Sequence, residues 1–412
     1  MTLEATRATT IEERFCRPHR ICVVGGAGHV GLPLGLVLAD VGNDVTLLDL
    51  NRQALATIAS GVMPFSEGDA EPLLERVLAS KRLKTTSEAA AVAEADTVII
   101  IIGTPVDEFL NPTMQALARC ADEIAPYLRD DQLLVLRSTL YPGTTSWIGE
   151  RLQAAGSQAM VAFCPERVVE GQAIREVQHL PQIVSGTTPA AEAAATALFS
   201  QINEDLVHLS PIEAEFVKLF SNAYRYIEFA AANQFYMMTT EAGVDYERVR
   251  HGMTFKYPRM GRIPSAGFAA GPCLFKDTMQ LSAFSKSSFG LGHSAVNVNE
   301  GLPIWVVDRL AQQHDLKQQV VGILGAAFKA NSDDPRSSLS YKLRKVLLFR
   351  AKDVLLTDPY VVGDERLSPL DEVIARSDIL IVATPHAVYR ELDLTGKIVI
   401  DIWNLYGKGA YF

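Results

Sequence analysis

Residues 21–31 read Ile-Cys-Val-Val-Gly-Gly-Ala-Gly-His-Val-Gly, and they decide the fold. Ile21 to Val24 is apolar throughout and β-prone, the mark of a strand buried on both faces. The glycines that end it form Gly26-x-Gly28-x-x-Gly31. Leu32 to Val41 then reads as a helix, with Pro33 tolerated in its first turn. Val45 to Leu48 reads as a second strand that ends at Asp49. A strand, a glycine turn, a helix and a strand closed by an acid make a parallel β-α-β unit of the dinucleotide-binding kind. The glycines let backbone amides approach a pyrophosphate at the helix amino terminus, and the acid accepts hydrogen bonds from the ribose hydroxyls. The charge of Asp49 opposes a 2′-phosphate and favours NAD over NADP, while nearby Arg52 works the other way. The alternative is a glycine turn that serves packing alone.

Further apolar strands are expected at Thr97–Ile102, Leu133–Leu136 and Met160–Phe163, with helical stretches such as Leu73–Leu78 and Met114–Leu128 between strands. The pattern changes near Pro211. From Ile212 to Ala242 there is no Gly or Pro, and apolar residues recur every three or four positions, which predicts one helix of about 30 residues. Helices of that length lie at domain junctions or subunit interfaces. Other helical segments surround a Gly/Pro-rich loop, Tyr257 to Pro272. Beyond Gln318 the first pattern repeats. Val320 to Gly325 echoes the glycine-ended strand, Asp353 to Asp358 echoes Asp44 to Asp49, and Ser377 to Pro385 echoes Ala95 to Pro105. The expected fold is α/β: two Rossmann-like, doubly wound parallel-sheet domains joined by a helical domain with one long central helix. The expected boundaries are a disordered tail over 1–18, a dinucleotide-binding domain over 19–210, a helical domain over 211–300 and a second Rossmann-like domain over 301–412.

Composition narrows the function. Lys plus Arg total 38 against 48 Asp plus Glu, so a general nucleic-acid binder is not expected. Five scattered cysteines with no Cys-x-x-Cys pair and no His/Cys cluster give neither a disulfide framework nor a metal site. The amino-terminal segment has no apolar core, and no run is long enough to span a bilayer. The expectation is a cytoplasmic enzyme without metal and without a membrane partner.

Three groups carry chemistry. Cys273 follows the loop Gly267-Phe268-Ala269-Ala270-Gly271-Pro272 and precedes Lys276 and Asp277, and a cation or helix start beside it would favour the nucleophilic thiolate. A buried, inert cysteine is the alternative. Lys218, Asn222 and Arg225 fall at i, i+4 and i+7, on one face of the long helix, and Glu215 extends the row. A solvated charged face would look the same, but the helix is otherwise largely apolar and polar groups there need partners. Glu166 and Glu170 follow Pro165 at a strand end, where α/β sites form.

Together these residues resemble the UDP-glucose/GDP-mannose dehydrogenase family of nucleotide-sugar 6-dehydrogenases, over roughly residues 20 to 405. The family's Gly-x-Gly-x-Val-Gly-Leu-Pro stands at 26–33, with His29 where the family carries Tyr. Ser138-Thr139-x-x-Pro142-Gly143-Thr144-Thr145 resembles its loop beside the nicotinamide, and Pro165-Glu166 with Glu170 its acidic substrate loop. Lys218-x-x-x-Asn222 resembles its helix motif and Cys273-x-x-Lys276-Asp277 its nucleophile motif. Phe328-Lys329 followed by Asp334-x-Arg336 resembles the start of its third domain. Arg167-Val168, Tyr224-Arg225 and Pro258-Arg259 resemble the UDP-N-acetylmannosamine dehydrogenase branch. Tyr257 replaces a His common in that branch, and Ala269-Ala270-Gly271-Pro272 replaces a Gly-Gly pair.

The resemblance implies a four-electron oxidation of a UDP-sugar C6 alcohol with NAD, through a thiohemiacetal and a thioester on Cys273. It implies that Lys218 and Asn222 stabilise the oxyanion, and that Asp277, Glu166 or Glu170 serves hydrolysis. Gly26, Gly28, His29, Val30, Gly31, Asp49, Arg52, Thr104, Thr139 and Arg336 would bind the cofactor. Arg167, Val168, Lys218, Asn222, Arg225, Tyr257, Arg259, Gly267, Phe328 and Lys329 would bind the substrate. A homodimer or higher homo-oligomer through the long helix is implied, with Arg259 reaching the neighbouring subunit. The favoured substrates are UDP-2-acetamido-hexoses of the manno, gluco or galacto series. UDP-glucose is the first alternative, a β-hydroxyacid dehydrogenase a more distant one, and a non-catalytic NAD or UDP-sugar sensor the non-enzyme alternative.

Overall fold

The computed structural model describes residues 10–107 and 113–409. The chain falls into two compact units, Met1–Phe220 and Ser221–Phe412, and the division lies inside one continuous helix, Pro211–Glu241. That helix matches the uninterrupted apolar periodicity to within one residue at each end.

The first unit is built on eight strands: β1 (Arg20–Val24), β2 (Asp44–Leu48), β3 (Leu83–Thr86), β4 (Thr97–Ile100), β5 (Leu133–Leu136), β6 (Met160–Phe163), β7 (Gln182–Gly186) and β8 (Leu206–His208). Their order is β3-β2-β1-β4-β5-β6-β7-β8. All neighbours run parallel except β6 and β7. The reversal has a local cause. After β6 the chain forms a loop and the two-turn helix Ala173–His179, then re-enters the sheet from the same end.

Alternation along the strands divides their side chains between two cores. Ile21, Val23, Val45, Leu47, Ile99, Val135 and Ala162 face one core, and Cys22, Val24, Leu48, Val98, Ile100, Leu136 and Phe163 face the other. Both faces are buried, which is why these strands read as continuous apolar runs. The strands that the sequence reading missed lack that signature. β3 (Leu-Lys-Thr-Thr) and β8 close the two edges of the sheet, and β7 has only two consecutive large apolar residues.

Residues 10–18 differ from the expected tail. Thr10 and Glu13 close a capping box on the short helix Ile11–Phe15, and Phe15 is buried in the first core. Residues 1–9 lie outside the described residues.

The second unit holds the rest of the long helix, the helices Tyr246–Thr254, Leu274–Phe284 and Gly290–Gln313, and a second sheet. Its strands are β9 (Val320–Leu324), β10 (Asp353–Thr357), β11 (Ile379–Val382) and β12 (Ile398–Ile400), all parallel, in the order β10-β9-β11-β12. Ala232, Tyr236, Leu302 and Val306 from the helices share one core with Val321, Ile323, Val354 and Ile381 from the strands. The middle helices and the carboxyl-terminal sheet thus pack on a common core within this unit. Among the described residues no helix is long and apolar enough to cross a membrane.

Candidate active site

The glycine turn after β1 is built to receive an anion. Val30 caps the helix Gly31–Asp40 without a side-chain hydrogen bond, and its first turn carries no acid, so the positive end of the helix dipole faces the turn uncompensated by a carboxylate of its own. A Cβ placed on Gly28 would meet no atom of the chain closer than 3.7 Å, so packing does not demand a bare backbone there; close approach of a ligand does. Asp49 steadies the turn, its Oδ2 accepting from Ala27 N at 3.0 Å and its Oδ1 from Asn51 N at 2.9 Å. It remains only half-buried, with lone pairs left for hydroxyl donors. The residues present therefore fit a dinucleotide. Arg52 is exposed and, among the described residues, its guanidinium pairs with the equally exposed Glu88, at 3.9 Å. Thr104 Oγ1 donates to the Thr139 carbonyl at 2.8 Å, and Ile102 N donates to Ser138 Oγ at 2.8 Å, so the ends of β4 and β5 are tied together beside the turn.

The acidic loop after β6 is organised by a residue the sequence reading did not select. Arg137, at the end of β5, is 1% exposed. Its Nε donates to Glu166 Oε2 at 3.0 Å, Nη2 to the same oxygen at 2.5 Å and to Gln182 Oε1 at 3.0 Å, and Nη1 to the Cys164 carbonyl at 2.9 Å. Glu166 Oε1 accepts from Arg167 N at 2.7 Å and Val168 N at 3.1 Å. Both oxygens of Glu166 are thus committed to anchoring the loop. A charged residue directly after four buried apolar ones was the signal that would have found Arg137.

Further along this loop, His29 Nδ1 lies 2.5 Å from Glu170 Oε1, and the His29 ring stacks on Phe65 with centroids 4.0 Å apart. Glu67 accepts from Gly171 N at 2.8 Å and Ala173 N at 2.6 Å. The glycine turn and the acidic loop are therefore joined within the first unit. Glu215 proves to be a helix cap. Its carboxylate accepts from Gly143 N at 2.6 Å, Thr145 N at 2.8 Å and Thr145 Oγ1 at 2.6 Å, at the start of the helix Thr144–Ala154. Lys218, one turn further along the long helix, is half-buried.

In the second unit Cys273 is exposed, in the N-cap position of the helix Leu274–Phe284. The partial positive charge of a helix amino terminus favours an anion at that place. Burial pushes the thiols of Cys22, Cys120 and Cys164 up to about 12, which sets them apart from an exposed nucleophile. One turn on, fully buried Asp277 accepts from Asn222 Nδ2 at 2.6 Å and lies 3.5 Å from Lys276 Nζ. The loop before Cys273 is held from two sides. Asn233 exchanges hydrogen bonds of 3.0 and 2.9 Å with the Gly267 backbone, and Asn299 supports Asn233 at 2.9 Å. Gly271 takes φ +105°, and a Cβ there would sit 2.6 Å from the Phe328 ring. The expected residues Gly267, Cys273 and Phe328 are in this way brought to one loop.

Other expected residues stand apart. Arg225 is exposed and makes no ion pair with Glu228 among the described residues. Tyr257 and Arg259 are exposed, the guanidinium 5.6 Å over the ring. Arg336 folds back on Asp334, with contacts of 2.6 to 2.9 Å.

The chain matches three parts of one family: the NAD binding domain of the UDP-glucose/GDP-mannose dehydrogenase family over residues 19–203, its central domain over 212–301 and its UDP binding domain over 322–408. It is 29% identical over 406 residues to a UDP-N-acetyl-D-mannosamine dehydrogenase of Pyrococcus horikoshii, covering 94% of this chain and 96% of the relative. It is 29% identical over 413 residues to an NDP-N-acetyl-D-galactosaminuronic acid dehydrogenase of Ralstonia nicotianae, covering 94% and 96%. The structure of a UDP-glucose dehydrogenase from Pyrobaculum islandicum superposes with a TM-score of 0.87 at 27% identity, covering 94% of this chain and 95% of that one. With its glycine turn, its doubled parallel sheet and these matches along nearly its whole length, the chain belongs to the UDP-glucose/GDP-mannose dehydrogenase family and is an NAD-dependent nucleotide-sugar dehydrogenase.

Proposed function

We propose that this enzyme oxidises the C6 alcohol of a UDP-2-acetamido-hexose to the uronic acid in two successive two-electron steps, joined by covalent attachment to Cys273. The observation that carries the reading is the surroundings of Cys273: an exposed thiol at a helix amino terminus, with the Asn222 amide fixed by buried Asp277 one turn away. NAD, when bound at the glycine turn, supplies the hydride acceptor for both oxidations. The chain's own residues do the rest. The second N–H of Asn222 and the Lys218 ammonium, one turn apart on the same helix, donate to the C6 oxygen as it gains charge. The C6 alcohol first gives up a hydride to the cofactor and its hydroxyl proton to water, leaving the aldehyde; the Cys273 thiolate then forms a C–S bond to that carbon, the carbonyl pair moves to oxygen, and protonation of that oxygen gives the thiohemiacetal. Loss of a second hydride and a proton leaves the thioester. Water then attacks that carbon, the C–S bond breaks, and the thiolate returns. Asp277, one turn after Cys273, positions that water, because both oxygens of Glu166 are engaged.

The acetamido assignment is supported by the two N-acetyl-sugar relatives and by Arg225, whose guanidinium suits an amide carbonyl. UDP-glucose is the second reading, favoured by the close superposition on the Pyrobaculum structure. A homodimer is supported by the long helix, which exposes Phe220 (55%), Tyr224 (63%), Phe235 (39%) and Met238 (59%). At 100° per residue these four lie within about 60° of one another, a single apolar face. The test is a panel of UDP-sugars followed by NADH absorbance and product analysis. The expected result is two NADH per sugar and a uronic acid; one NADH with free aldehyde would refute the covalent route.

A further inference from the structure

The second sheet repeats the first down to its acid: Asp358 follows β10 as Asp49 follows β2. The two acids differ in what reaches them. Asp49 takes two backbone amides and keeps part of its surface. The Asp358 side chain is 0% exposed. Its Oδ2 accepts from Ala326 N at 2.6 Å, Ala327 N at 2.9 Å and His386 Nε2 at 2.9 Å, and its Oδ1 from Tyr360 N at 2.8 Å and Val361 N at 3.0 Å. A carboxylate offers about four acceptor positions. Five donors leave none for a ribose hydroxyl.

The fifth of these donors, His386, is held by the acid through one ring nitrogen, and its other nitrogen holds a different segment. Asn331 N, which can only donate, lies 2.9 Å from His386 Nδ1. Nδ1 is therefore the acceptor, and Nε2–H is the donor to Asp358. Asn331 sits at φ +54°, in the left-handed region, and its Oδ1 accepts from Ala387 N at 3.0 Å. At the other end of the segment Phe328 N donates to the Asp334 carbonyl at 2.9 Å. The stretch Phe328-Lys329-Ala330-Asn331 is thus pinned at both ends, with Phe328 covering Gly271 in the loop before Cys273.

We propose that His386 is a positioning residue: anchored by Asp358 through one ring nitrogen, it fixes the Phe328–Asn331 segment for the nucleotide of the sugar substrate through the other. The substrate half of this inference rests on the reading of residues 322–408 as the UDP-binding domain.

The test titrates UDP and NAD calorimetrically into wild type, His386→Asn, His386→Gln and His386→Phe. Asn places an oxygen near Nδ1 and keeps the acceptor for Asn331. Gln reaches the Nε2 position and keeps the donor to Asp358. Phe keeps neither. UDP affinity should fall at least about tenfold, ~1.4 kcal/mol, in the Gln and Phe variants and stay within about threefold in Asn. NAD should bind once per chain to every variant with little change in Kd. Unchanged UDP affinity in natively folded Gln and Phe variants would overturn the positioning role. Wild type that binds NAD but not UDP would overturn the UDP-binding reading itself and the inference with it. If the Phe variant does not fold, the Asn and Gln pair makes the same comparison.

Discussion

Replacing Glu166 with Gln separates two roles that one carboxylate could hold. The side chain keeps its size but loses its charge, and Arg137 keeps the Cys164 carbonyl, Gln182 and one amide oxygen. The guanidinium, 1% exposed, is then a buried cation without its counter-ion. Breaking a buried pair from one side costs about 3–5 kcal/mol, and the remaining acceptors put this case near the lower end. For a unit of this size, about 3 kcal/mol lowers Tm by roughly 6–12 °C. Calorimetry on wild type, Glu166→Gln, Arg137→Met and the double variant measures it. The double variant should lose less than the two single losses added together, because it leaves no orphaned charge. If Glu166 instead activates the hydrolytic water, Glu166→Gln will lose kcat at native Tm, and the anchoring argument fails.

Cys273→Ala should abolish uronate formation and leave the NAD Kd unchanged, since the glycine turn belongs to the other unit; substantial residual acid would exclude Cys273 as nucleophile. Arg225→Leu should lower the kcat/KM ratio of a UDP-N-acetylhexosamine over UDP-glucose about tenfold, ~1.4 kcal/mol. An unchanged ratio with reduced stability would make Arg225 a structural residue. Burial acts to raise the Asp358 carboxyl, but His386 and the amides of Ala327 and Tyr360 outweigh it and hold it at about 2, below the ordinary 3.8. A depressed acid contributes its stability above the unfolded value and loses it as pH falls through the folded one. Holding the carboxyl at about 2 contributes roughly 2–3 kcal/mol to stability above the unfolded value. Asp358→Asn should therefore flatten the acid limb of the stability curve between about pH 4 and 2, and a curve parallel to wild type there would refute the assignment.

The fold was legible where burial on both sides of a sheet forces an unbroken apolar run. β1, β2, β4, β5 and β6 were found that way to within two residues at either end. Edge strands escape this logic. β8 exposes two of its three residues, and β3 ends in Lys-Thr-Thr. What the middle helices pack against is not written in their sequence, because a periodic pattern shows that a helix has an apolar face but not what covers it. Only the shared core of Tyr236, Leu302 and Ile323 shows that helices and strands pack together there.

The site was legible as residue types and not as jobs, and the carboxylates show why. Glu166, Glu215 and Asp277 all read as chemistry-bearing acids, yet what each can do depends on donors that come from distant positions. Glu166 is met by Arg137 and by two amides of its own loop, Glu215 by the opening amides of a helix 70 residues earlier in the chain, and Asp277 by Asn222 across 55 residues. An acid whose oxygens are filled by backbone amides and a buried guanidinium has no lone pair left for a proton in flight, so its contribution is rigidity. One whose partner is another substrate-facing side chain transmits orientation to it. By that criterion Asp277 orients Asn222, and Asp49 and Asp358, each closing the second strand of its sheet, part company because two backbone amides reach the first while four amides and a histidine reach the second. The repeat in the sequence records a shared backbone. What each copy binds is set by the side chains that later elements bring to it.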